Sequence, residues 1–471
     1  MAMTRTAPAC RAPSVSMYLD PLGVVRPCCV NPFYVLGRIT EQSLADIWNG
    51  ERTRQLRERL GHGDLSGGCD ACRGPDRGDG EDHSSFARTF DVFPLAGGEP
   101  DVTWPVQLEL ALSNTCNLQC TMCSGTLSSA IRAGREGLPP LPKVYDDRFF
   151  EELRPFLAHA ERVTLLGGEP LLARETWRVV DLLEEVGNQP RLHVTTNGMI
   201  WNDKVERLLT RFPTDVVVSV DAVDPDLLRS IRIGIEPERV MANLERFWEH
   251  APRNGGSLAI ACCLMTESAP DLRAVLALAD RLDVDVFLND VAWPAVSAYW
   301  SLDHEARAAL VADLRSVEAL GPPLHRNAAV WEDALSRIEA APEPVAVELR
   351  VTSRSPELGP PVRFEVNDKH QLVAIEPDPS DVFGVDLTAV VGTPVGEFRE
   401  PFHAVHGPLL RSQVQRNEGG SQVWTLDMGS PEAVRRLRAT FEPGATTGGT
   451  WVLTLHELSP IDTLATGPVA N

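Results

Sequence analysis

The chain is poor in positive charge. Its 471 residues contain 44 Lys and Arg against 66 Asp and Glu, which gives a formal net charge of −22 at pH 7. Lysine is nearly absent and occurs only at Lys143, Lys204 and Lys369, a bias typical of GC-rich coding sequences. A surface this acidic disfavours binding to phosphate backbones, so we expect no nucleic-acid partner.

Long hydrophobic runs are also missing. No segment is long enough to span a bilayer, and no signal-peptide core follows Met1, so we expect no membrane association. The ten cysteines lie in groups, which favours metal ligation in a reducing cytosol over disulfides and predicts a cytoplasmic protein. The length predicts two to four domains.

Three cysteines stand in one short stretch, LSNTCNLQCTMCSG. Cys116, Cys120 and Cys123 are spaced C-x3-C-x2-C and follow an apolar run, Val106–Ser113, that predicts a buried strand. Three thiolates this close in sequence can bind one cubane cluster and leave one iron without a protein ligand. A structural zinc site would need a fourth nearby Cys or His, which this loop does not supply. The alternative is three buried free cysteines.

A strand that leads into a C-x3-C-x2-C loop resembles the radical S-adenosylmethionine (SAM) enzymes. The resemblance implies that Cys116, Cys120 and Cys123 hold a [4Fe-4S] cluster, and that SAM chelates its open iron. It also implies reductive cleavage of SAM to a 5′-deoxyadenosyl radical, with electrons from a flavodoxin- or ferredoxin-like donor. Where this family usually has an aromatic residue near the adenine, this chain has Met122, which keeps an apolar contact.

Strand and helix patterns alternate from Trp104 to about Asp290. Short apolar strands separated by amphipathic stretches predict an α/β fold with a parallel sheet wrapped by helices. Six such units resemble the partial (β/α)6 barrel of radical SAM enzymes, in which chemistry lies at the carboxyl ends of the strands. The expected strands are Val106–Ser113, Arg162–Leu166, Arg191–Thr196, Asp215–Val220, Leu258–Met265 and Val284–Asn289.

Candidate SAM contacts follow the second, third and fourth of these strands. The resemblance to the family's GGE motif implies that the SAM amino group is held by Gly167, Gly168, Glu169 and Pro170. Glycines permit a close backbone approach and a carboxylate complements an ammonium, although ordinary turn chemistry is an alternative. Asn197 and Ser219 suit a ribose and a carboxylate, but Asn197 also fits a turn, and Asp221 fits a helix cap.

The fifth expected strand contains Cys262 and Cys263. Alternation directs one of them toward the barrel interior and the other toward the helices. An interior thiol could donate a hydrogen atom to a substrate radical, similar to the final step of some peptide epimerases of this family. The alternative is a small apolar side chain in the core.

The first hundred residues carry a second cysteine set. A hairpin pattern over Ser14–Cys29 is followed by a helix pattern, Leu44–Leu60, with Ser43 as its N-cap, and then by a C-x2-C pair. This order resembles the auxiliary-cluster modules called SPASM and Twitch domains. Because no further cysteines follow the pair, the shorter Twitch form is favoured, with one auxiliary [4Fe-4S] cluster. By the family spacing its ligands would be Cys10, Cys28, Cys69 and Cys72.

Two alternatives stay open for this module. Cys29 is the spare cysteine, and its exchange with Cys28 is compatible with the spacing. A four-cysteine zinc knuckle is compatible with the C-x2-C pair as well. The module also departs from the family pattern, because it precedes the barrel instead of following it.

Beyond the barrel the pattern changes to short strands separated by Gly and Pro turns, with no cysteine after Cys263. The expected strands are Val345–Thr352, Val362–Val366, Leu372–Ile375, Gln422–Leu426 and Thr450–Leu455. This predicts a C-terminal all-β, sandwich-like accessory domain. Such a domain could bind a carbohydrate or a peptide or mediate assembly, while Trp424 and Trp451 fit a core better than a sugar platform. The expected division is residues 1–90 for a small N-terminal α+β cluster module, 104–300 for the barrel, 301–343 for a helical extension and 345–471 for the β domain.

Together these features predict a radical SAM enzyme that abstracts hydrogen from a peptide or small natural-product substrate. One alternative is an enzyme of the same class directed at a carbohydrate or aminoglycoside. The other is a non-catalytic metal-binding scaffold, against which the complete cysteine triad and the GGEP motif both count.

Overall fold

The computed structural model describes residues 10–31, 34–65, 69, 85–93, 104–291, 297–320 and 323–341, and seven strands between residues 347 and 458. The chain divides into two compact units. One comprises the residues up to Asp290 together with Ala312–Arg337, and the other comprises Val291–Val311 and the residues from Ile338 onward.

A nine-stranded mixed sheet forms the centre of the first unit. Six of its strands are parallel and adjacent in chain order, as expected of a partial barrel. They coincide within a few residues with the six strands predicted from the sequence. The strands are β1 (Ser16–Leu19), β2 (Val24–Arg26), β3 (Gly37–Arg38), β4 (Gln107–Leu110), β6 (Arg162–Leu165), β7 (Arg191–Thr196), β8 (Thr214–Ser219), β10 (Ser257–Leu264) and β11 (Asp285–Asp290), while β5 (Gln119–Cys120) and β9 (Arg232–Ile233) form a separate pair.

Five helices of the described chain occupy the amphipathic stretches predicted between the barrel strands. The helices are α1 (Ala12–Val15), α2 (Leu44–Trp48), α3 (Glu51–Gly61), α4 (Ser85–Arg88), α5 (Ser129–Gly134), α6 (Asp147–His159), α7 (Arg174–Val186), α8 (Asp203–Arg211), α9 (Pro225–Ile231), α10 (Pro237–His250), α11 (Leu272–Leu282), α12 (His304–Leu320) and α13 (Ala328–Ala340). The prediction of a single helix over Leu44–Leu60 is wrong in one respect. The segment forms two helices, α2 and α3, because the helix that Ser43 caps as expected is interrupted at Asn49 and Gly50.

The two faces of the parallel sheet differ in polarity. One register row is apolar, with no side chain more than 6% exposed, and consists of Leu110, Leu165, Val194, Val216 and Leu258. The row one residue earlier is polar and consists of Glu109, Thr164, His193, Asp215 and Ser257. The apolar face is the one that helices cover in such folds, so the polar face lines the barrel interior.

The N-terminal module is part of this same sheet. Its first strand, β1, pairs in parallel with β4 and antiparallel with β2, which confirms the predicted hairpin, and β3 adds a strand that was not predicted. The pairing of β1 with β4 was not predicted, because a local hairpin pattern does not specify the strand that its edge joins. The order of module and barrel is therefore accommodated by a shared sheet edge.

Seven strands of the second unit form one sheet, in the order β14-β13-β12-β18-β17-β16-β15. Four of the five predicted strand positions in this region match closely, and the other, at Val345–Thr352, is shorter; two strands, β15 and β17, were not predicted. Because the described strands belong to a single sheet, the sandwich arrangement stays a prediction. The strands are β12 (Val347–Arg350), β13 (Arg363–Val366), β14 (Leu372–Glu376), β15 (Leu409–Arg416), β16 (Gln422–Ser430), β17 (Ala433–Pro443) and β18 (Trp451–Leu458).

Membrane insertion has no candidate among the helices of the described chain. None of them combines the length and the apolar character that crossing a bilayer requires.

The shared sheet predicts that β1 is needed for folding of the barrel. Met17 lies in β1 with 0% exposure, whereas Leu22, in the turn that follows, is 36% exposed. We expect Met17→Asp to lower the free energy of unfolding by about 4 kcal/mol or more, because it buries a carboxylate without a partner. The matched change Leu22→Asp is expected to cost less than about 1 kcal/mol. Urea denaturation of the cluster-free protein, followed by circular dichroism, measures both, and equal losses would contradict the shared sheet.

Candidate active site

The cysteine loop, residues 112–125, is anchored at both of its sides. Gly168 N–H donates to Ser113 O (2.9 Å) and Glu169 N–H to Thr115 O (2.7 Å), so the loop is bonded to the residues that follow β6. On its other side, Cys120 pairs with Arg232 in the two-stranded β5–β9 ladder. The loop therefore lies at the carboxyl ends of the barrel strands, where the fold predicted the chemistry.

The start of α5 fixes the first half of the loop. Cys116 N–H donates to Ser129 Oγ (3.1 Å), and the Ser128 hydroxyl donates to Leu118 O (2.7 Å). The Asn114 amide donates to Gly125 O (2.9 Å), which closes the loop on itself. These side-chain bonds replace the backbone partners that a loop lacks.

The three thiols lie near one another. Cys120 is 8% exposed, and Cys116 and Cys123 are half-buried. Burial raises the pKa of Cys123 to about 11, and the neighbouring sulfurs of Cys120 and Cys116 raise it further. Burial also raises the pKa of Cys120, which the Arg232 guanidinium lowers. Three mutually close thiols of one loop are a donor set that fits an iron–sulfur cluster.

Gly167 and Gly168 are required by the contact between the loop and β6. Gly167 has φ = +130°, and a Cβ there would lie 2.6 Å from Ser113 O. A Cβ on Gly168 would lie 2.4 Å from Thr115 O. Both distances are below any real Cβ contact, so only glycine permits the approach. This gives the two glycines a structural role in addition to the predicted one near SAM.

Glu169 joins the ends of β6 and β7. Its carboxylate is 1% exposed and accepts hydrogen bonds from Thr196 Oγ1 (2.8 Å), Asn197 N–H (2.7 Å) and Leu171 N–H (3.1 Å). Burial raises its pKa to about 7, against these three bonds, which lower it. Two carboxylate oxygens offer about four acceptor positions, so one is left for a ligand. The adjoining Pro170 is buried.

Asn197 and Ser219 occupy the ends of β7 and β8, as predicted. The Asn197 amide donates to Asn117 Oδ1 of the cysteine loop (2.9 Å), and its own Oδ1 accepts from Met199 N–H (2.9 Å). Ser219 is half-buried, as is Met122 in the cysteine loop. Their roles toward SAM stay predictions.

A buried ion pair, which the sequence analysis missed, lies beside the thiols. Asp221 is 0% exposed and accepts from Arg232 Nε (2.7 Å), while Arg232 Nη1 approaches Cys120 Sγ at 3.9 Å. Asp221 does not cap the helix that follows β8, because the N-cap of that helix, α9, is Asp224. The only signal for the pair was an acid after one strand and an arginine eleven residues later, which is not specific.

Cys262 and Cys263 point to opposite faces, as alternation predicted. Cys262 is 1% exposed on the apolar face, whereas Cys263 is half-buried on the face that lines the interior. Cys263 N–H donates to Asp221 Oδ1 (2.8 Å), and burial together with this carboxylate raises the pKa of the Cys263 thiol to about 12. Cys263 is therefore the one placed to present an S–H group to the interior, and its use as a hydrogen donor stays a prediction.

The N-terminal cysteines separate into two environments. Cys28 is 7% exposed and packs near Cys10, and its sulfur accepts a hydrogen bond from Asn31 N–H. The Asn31 side-chain amide donates to Cys69 Sγ (3.2 Å). Two of the four predicted auxiliary ligands, Cys28 and Cys69, thus contact Asn31, a third, Cys10, lies near Cys28, and the fourth, Cys72, lies outside the described residues.

Cys29 has a different hydrogen-bond partner from Cys28. Its thiol is hydrogen-bonded to Glu109 of β4, a carboxyl that is 3% exposed and also accepts from Ser16 Oγ (3.0 Å) and Gln107 Nε2 (3.2 Å). Burial raises the pKa of Glu109. The neighbouring sulfurs Cys28 and Cys29 therefore have different partners.

A cavity of about 610 Å³ lies along the inner face of the later strands. Apolar side chains from β8, β10 and β11 line it, among them Val217, Ala259 and Phe287. Most of the lining comes from the amino ends of these strands and from the residues before them, among them Ser257 and Asp285, and Phe287 is its member farthest toward the carboxyl ends.

The charged groups of this cavity are paired within it. Arg191 is bound bidentately by Asp215 (2.6 and 2.7 Å), and Arg326 by Asp285 (2.7 and 3.0 Å). Burial lowers the pKa of His193, so that this imidazole is neutral at pH 7. The cavity thus offers an apolar wall with neutral polar groups.

In the described ranges no three Cys, His, Asp or Glu side chains are arranged at metal-ligating distances, and this includes the thiols of Cys116, Cys120 and Cys123, which are neighbours but do not yet converge on one point. Comparison with protein families identifies the two cysteine-bearing regions. Residues 110–276 match the radical SAM superfamily, and residues 10–73 match the SPASM iron–sulfur cluster-binding domain. The chain therefore contains a radical SAM domain and, before it, a SPASM domain. Its cofactors are accordingly a [4Fe-4S] cluster with SAM and an auxiliary cluster. The prediction of the shorter Twitch form is not tested by this match.

Among curated proteins, this radical SAM protein is similar to GTP 3′,8-cyclases. It is 29% identical over 149 residues to the enzyme of Mannheimia succiniciproducens, which covers 30% of this chain and 41% of that protein. The enzyme of Aquifex aeolicus is 26% identical over 135 residues, covering 27% and 40% respectively. The chain thus spans less than half the length of these relatives.

Similar solved structures include anSMEcpe with bound AdoMet, at 15% identity and a TM-score of 0.36, covering 57% of this chain and 73% of that one. Another is SuiB of Streptococcus suis bound to the precursor peptide SuiA, at 15% identity and a TM-score of 0.33, covering 62% and 68%.

The Asp221–Arg232 pair yields a stability prediction. Arg232→Met leaves a buried carboxylate without its partner, so we expect a loss of about 3–5 kcal/mol in the free energy of unfolding. The double variant Asp221→Asn/Arg232→Met is expected to recover part of this loss. Arg229→Met is the matched control, because Arg229 is 45% exposed and its ion pair with Asp226 is worth less than about 1 kcal/mol.

Urea denaturation of the cluster-free variants gives these values. Equal losses for Arg232→Met and Arg229→Met would contradict a structural role for the buried pair.

Proposed function

We propose that this radical SAM enzyme abstracts a hydrogen atom from an unactivated C–H position of a peptide or another natural product. The observation that carries the proposal is the junction of the cysteine loop with Gly168 and Glu169 at the carboxyl ends of the strands. It places the three loop thiols, the backbone of Gly167 and Gly168 and the buried Glu169 carboxylate together at one edge of the sheet. These are the elements that a cluster and an amino acid sulfonium would need.

In this proposal, Cys116, Cys120 and Cys123 hold the cluster and leave one iron for SAM. When bound, the cluster and SAM together supply reductive cleavage of the sulfonium to a 5′-deoxyadenosyl radical. Glu169 and the backbone of Gly167 and Gly168 orient the SAM amino group. Met122 contacts the adenine, and Asn197 and Ser219 bind the ribose and the carboxylate.

The cavity at the amino ends of β8, β10 and β11 does not suit a polyphosphate. The cavity is lined by two arginines and by three aspartates, Asp215, Asp283 and Asp285, and both arginines are neutralised by carboxylates. A nucleotide triphosphate would find no surplus of positive charge there. We therefore do not extend the GTP substrate of the curated relatives to this chain.

The auxiliary cluster is assigned to Cys10, Cys28, Cys69 and Cys72. Support for Cys28 over Cys29 comes from their partners, since Cys28 shares Asn31 with Cys69 whereas Cys29 is bonded to Glu109. Four thiolates would leave this cluster without an open iron, so its role is electron transfer or support of the fold.

Anaerobic reconstitution tests the proposed activity. We expect about eight irons per chain in the wild type and about four in the Cys116/Cys120/Cys123→Ala variant, because one cubane is lost. Only the wild type is expected to produce 5′-deoxyadenosine from SAM under dithionite. Formation of 5′-deoxyadenosine by the triple variant, or none by a fully loaded wild type, would contradict the proposal.

A matched pair of adjacent cysteines tests the auxiliary assignment. Cys28→Ala is expected to lose about four irons, whereas Cys29→Ala is expected to keep about eight, because only Cys28 lies with the other ligands. Iron and sulfide analysis, with zinc measured in parallel, reads this out. Iron loss in Cys29→Ala alone would reverse the assignment, and one zinc in place of four irons would favour a zinc knuckle.

A further inference from the structure

A second cavity, of about 500 Å³, lies against the cysteine loop. Its wall includes Ser113, Asn114 and Thr115, the three residues immediately before Cys116, and the first residue of α5, Ser129. The remaining wall comes from residues 138–145 and from the first turn of α7. This cavity therefore adjoins the segment that carries the proposed cluster ligands.

The charge of this cavity is opposite to that of the whole chain. Three cations line it, Arg132, Lys143 and Arg174, against the single acid Glu175. Lys143 is one of only three lysines in a chain with a net charge of −22. Lys143 and Arg174 are exposed, and neither has an ion-pair partner among the residues that the structure describes.

A fourth cation connects this surface with the thiols. Arg135, at the end of α5, donates to Cys123 O (2.6 Å) and lies 3.5 Å from Cys120 O. We call Arg132, Arg135, Lys143 and Arg174 the basic patch.

The acids around the basic patch are largely engaged. Glu136 accepts from Gly125 N–H (2.6 Å), and Asp147 is paired with Arg178 (2.6 Å). Asp146 caps α6 by accepting from Phe149 N–H (3.0 Å). Only Asp147 is neutralised by a cation, so the four cations of the basic patch exceed the acids Glu136, Asp146 and Glu175 by one charge.

We infer that the basic patch is the docking surface for an acidic one-electron carrier protein of the flavodoxin or ferredoxin type. This inference rests on the proposed function, which requires an electron to reach the cluster held by Cys116, Cys120 and Cys123. An acidic carrier is repelled by most of this chain's surface and attracted by the patch, so its approach is oriented. The orientation places the carrier beside the loop that holds the cluster.

Charge reversal tests the docking surface with a matched control. Lys143→Glu/Arg174→Glu removes two patch cations that have no ion-pair partner in the part of the chain that the structure describes. Arg211→Glu/Arg253→Glu changes the net charge by the same amount, and both residues are exposed and precede β8 and β10 at the opposite edge of the sheet. Binding of a purified oxidised flavodoxin is measured at low and high salt. The rate of 5′-deoxyadenosine formation is measured with reduced flavodoxin and with dithionite.

We expect the patch variant to weaken flavodoxin binding by about tenfold or more at low salt, with the difference shrinking at high salt. The ratio of the flavodoxin-driven rate to the dithionite-driven rate should fall in that variant and stay unchanged in the control. Equal effects of both variants would overturn the inference, because net charge alone would then explain them. Binding of tripolyphosphate that is lost in the patch variant, with flavodoxin binding retained, would overturn it in favour of a small-anion site.

This design separates the docking inference from the proposed function. A wild type that produces no 5′-deoxyadenosine even with dithionite contradicts the function. A wild type that is active with dithionite but binds flavodoxin independently of the patch contradicts only the docking surface.

Discussion

The buried ion pair between Asp221 and Arg232 holds the cysteine loop to the strands of the barrel. Asp221 follows β8 and accepts from Cys263 of β10, while Arg232 pairs with Cys120 through β9 and β5. Removal of either partner would leave an uncompensated charge in the interior, which is far more costly than the pair itself. The loop is therefore positioned by the protein before any cofactor is bound.

Glu169 provides the second fixed point of the same edge. It links the end of β6 to Thr196 and Asn197 at the end of β7, and its own N–H holds Thr115 of the loop. The two anchors lie on either side of the cysteines. Since the six strands are parallel, their carboxyl ends meet at one edge, and this is why residues far apart in sequence form one site.

Sequence patterns located the six barrel strands because each is short, apolar and buried, and is separated from the next by an amphipathic helix. They also placed Gly167, Gly168 and Glu169 after the second of these strands. The two glycines are a recognisable local signal, because the backbone there lies too close to the cysteine loop for a Cβ atom. The pairing of β1 with β4 could not be predicted, because a local hairpin pattern does not specify which edge it joins. Arg232 was missed for a similar reason, as its partner is selected by tertiary structure.

Other differences arise from context that overrides local pattern. β17 carries three arginines and was not recognised as a strand, because its sheet neighbours determine its conformation. The break between α2 and α3 at Asn49–Gly50 did have a local signal, since both residues disfavour a helix interior. The distinction between Cys28 and Cys29 required the position of Glu109, on a strand about 80 residues away.

The central claim is that the cysteine loop holds a cluster with one open iron that binds SAM. Electron paramagnetic resonance of the reduced protein, recorded before and after SAM is added, tests it most directly. Our account predicts that SAM shifts the signal of one of two reduced clusters, and that the shift is absent in a Cys120→Ala variant that keeps the auxiliary signal. Spectra that are unchanged by saturating SAM in the fully loaded wild type would contradict the claim.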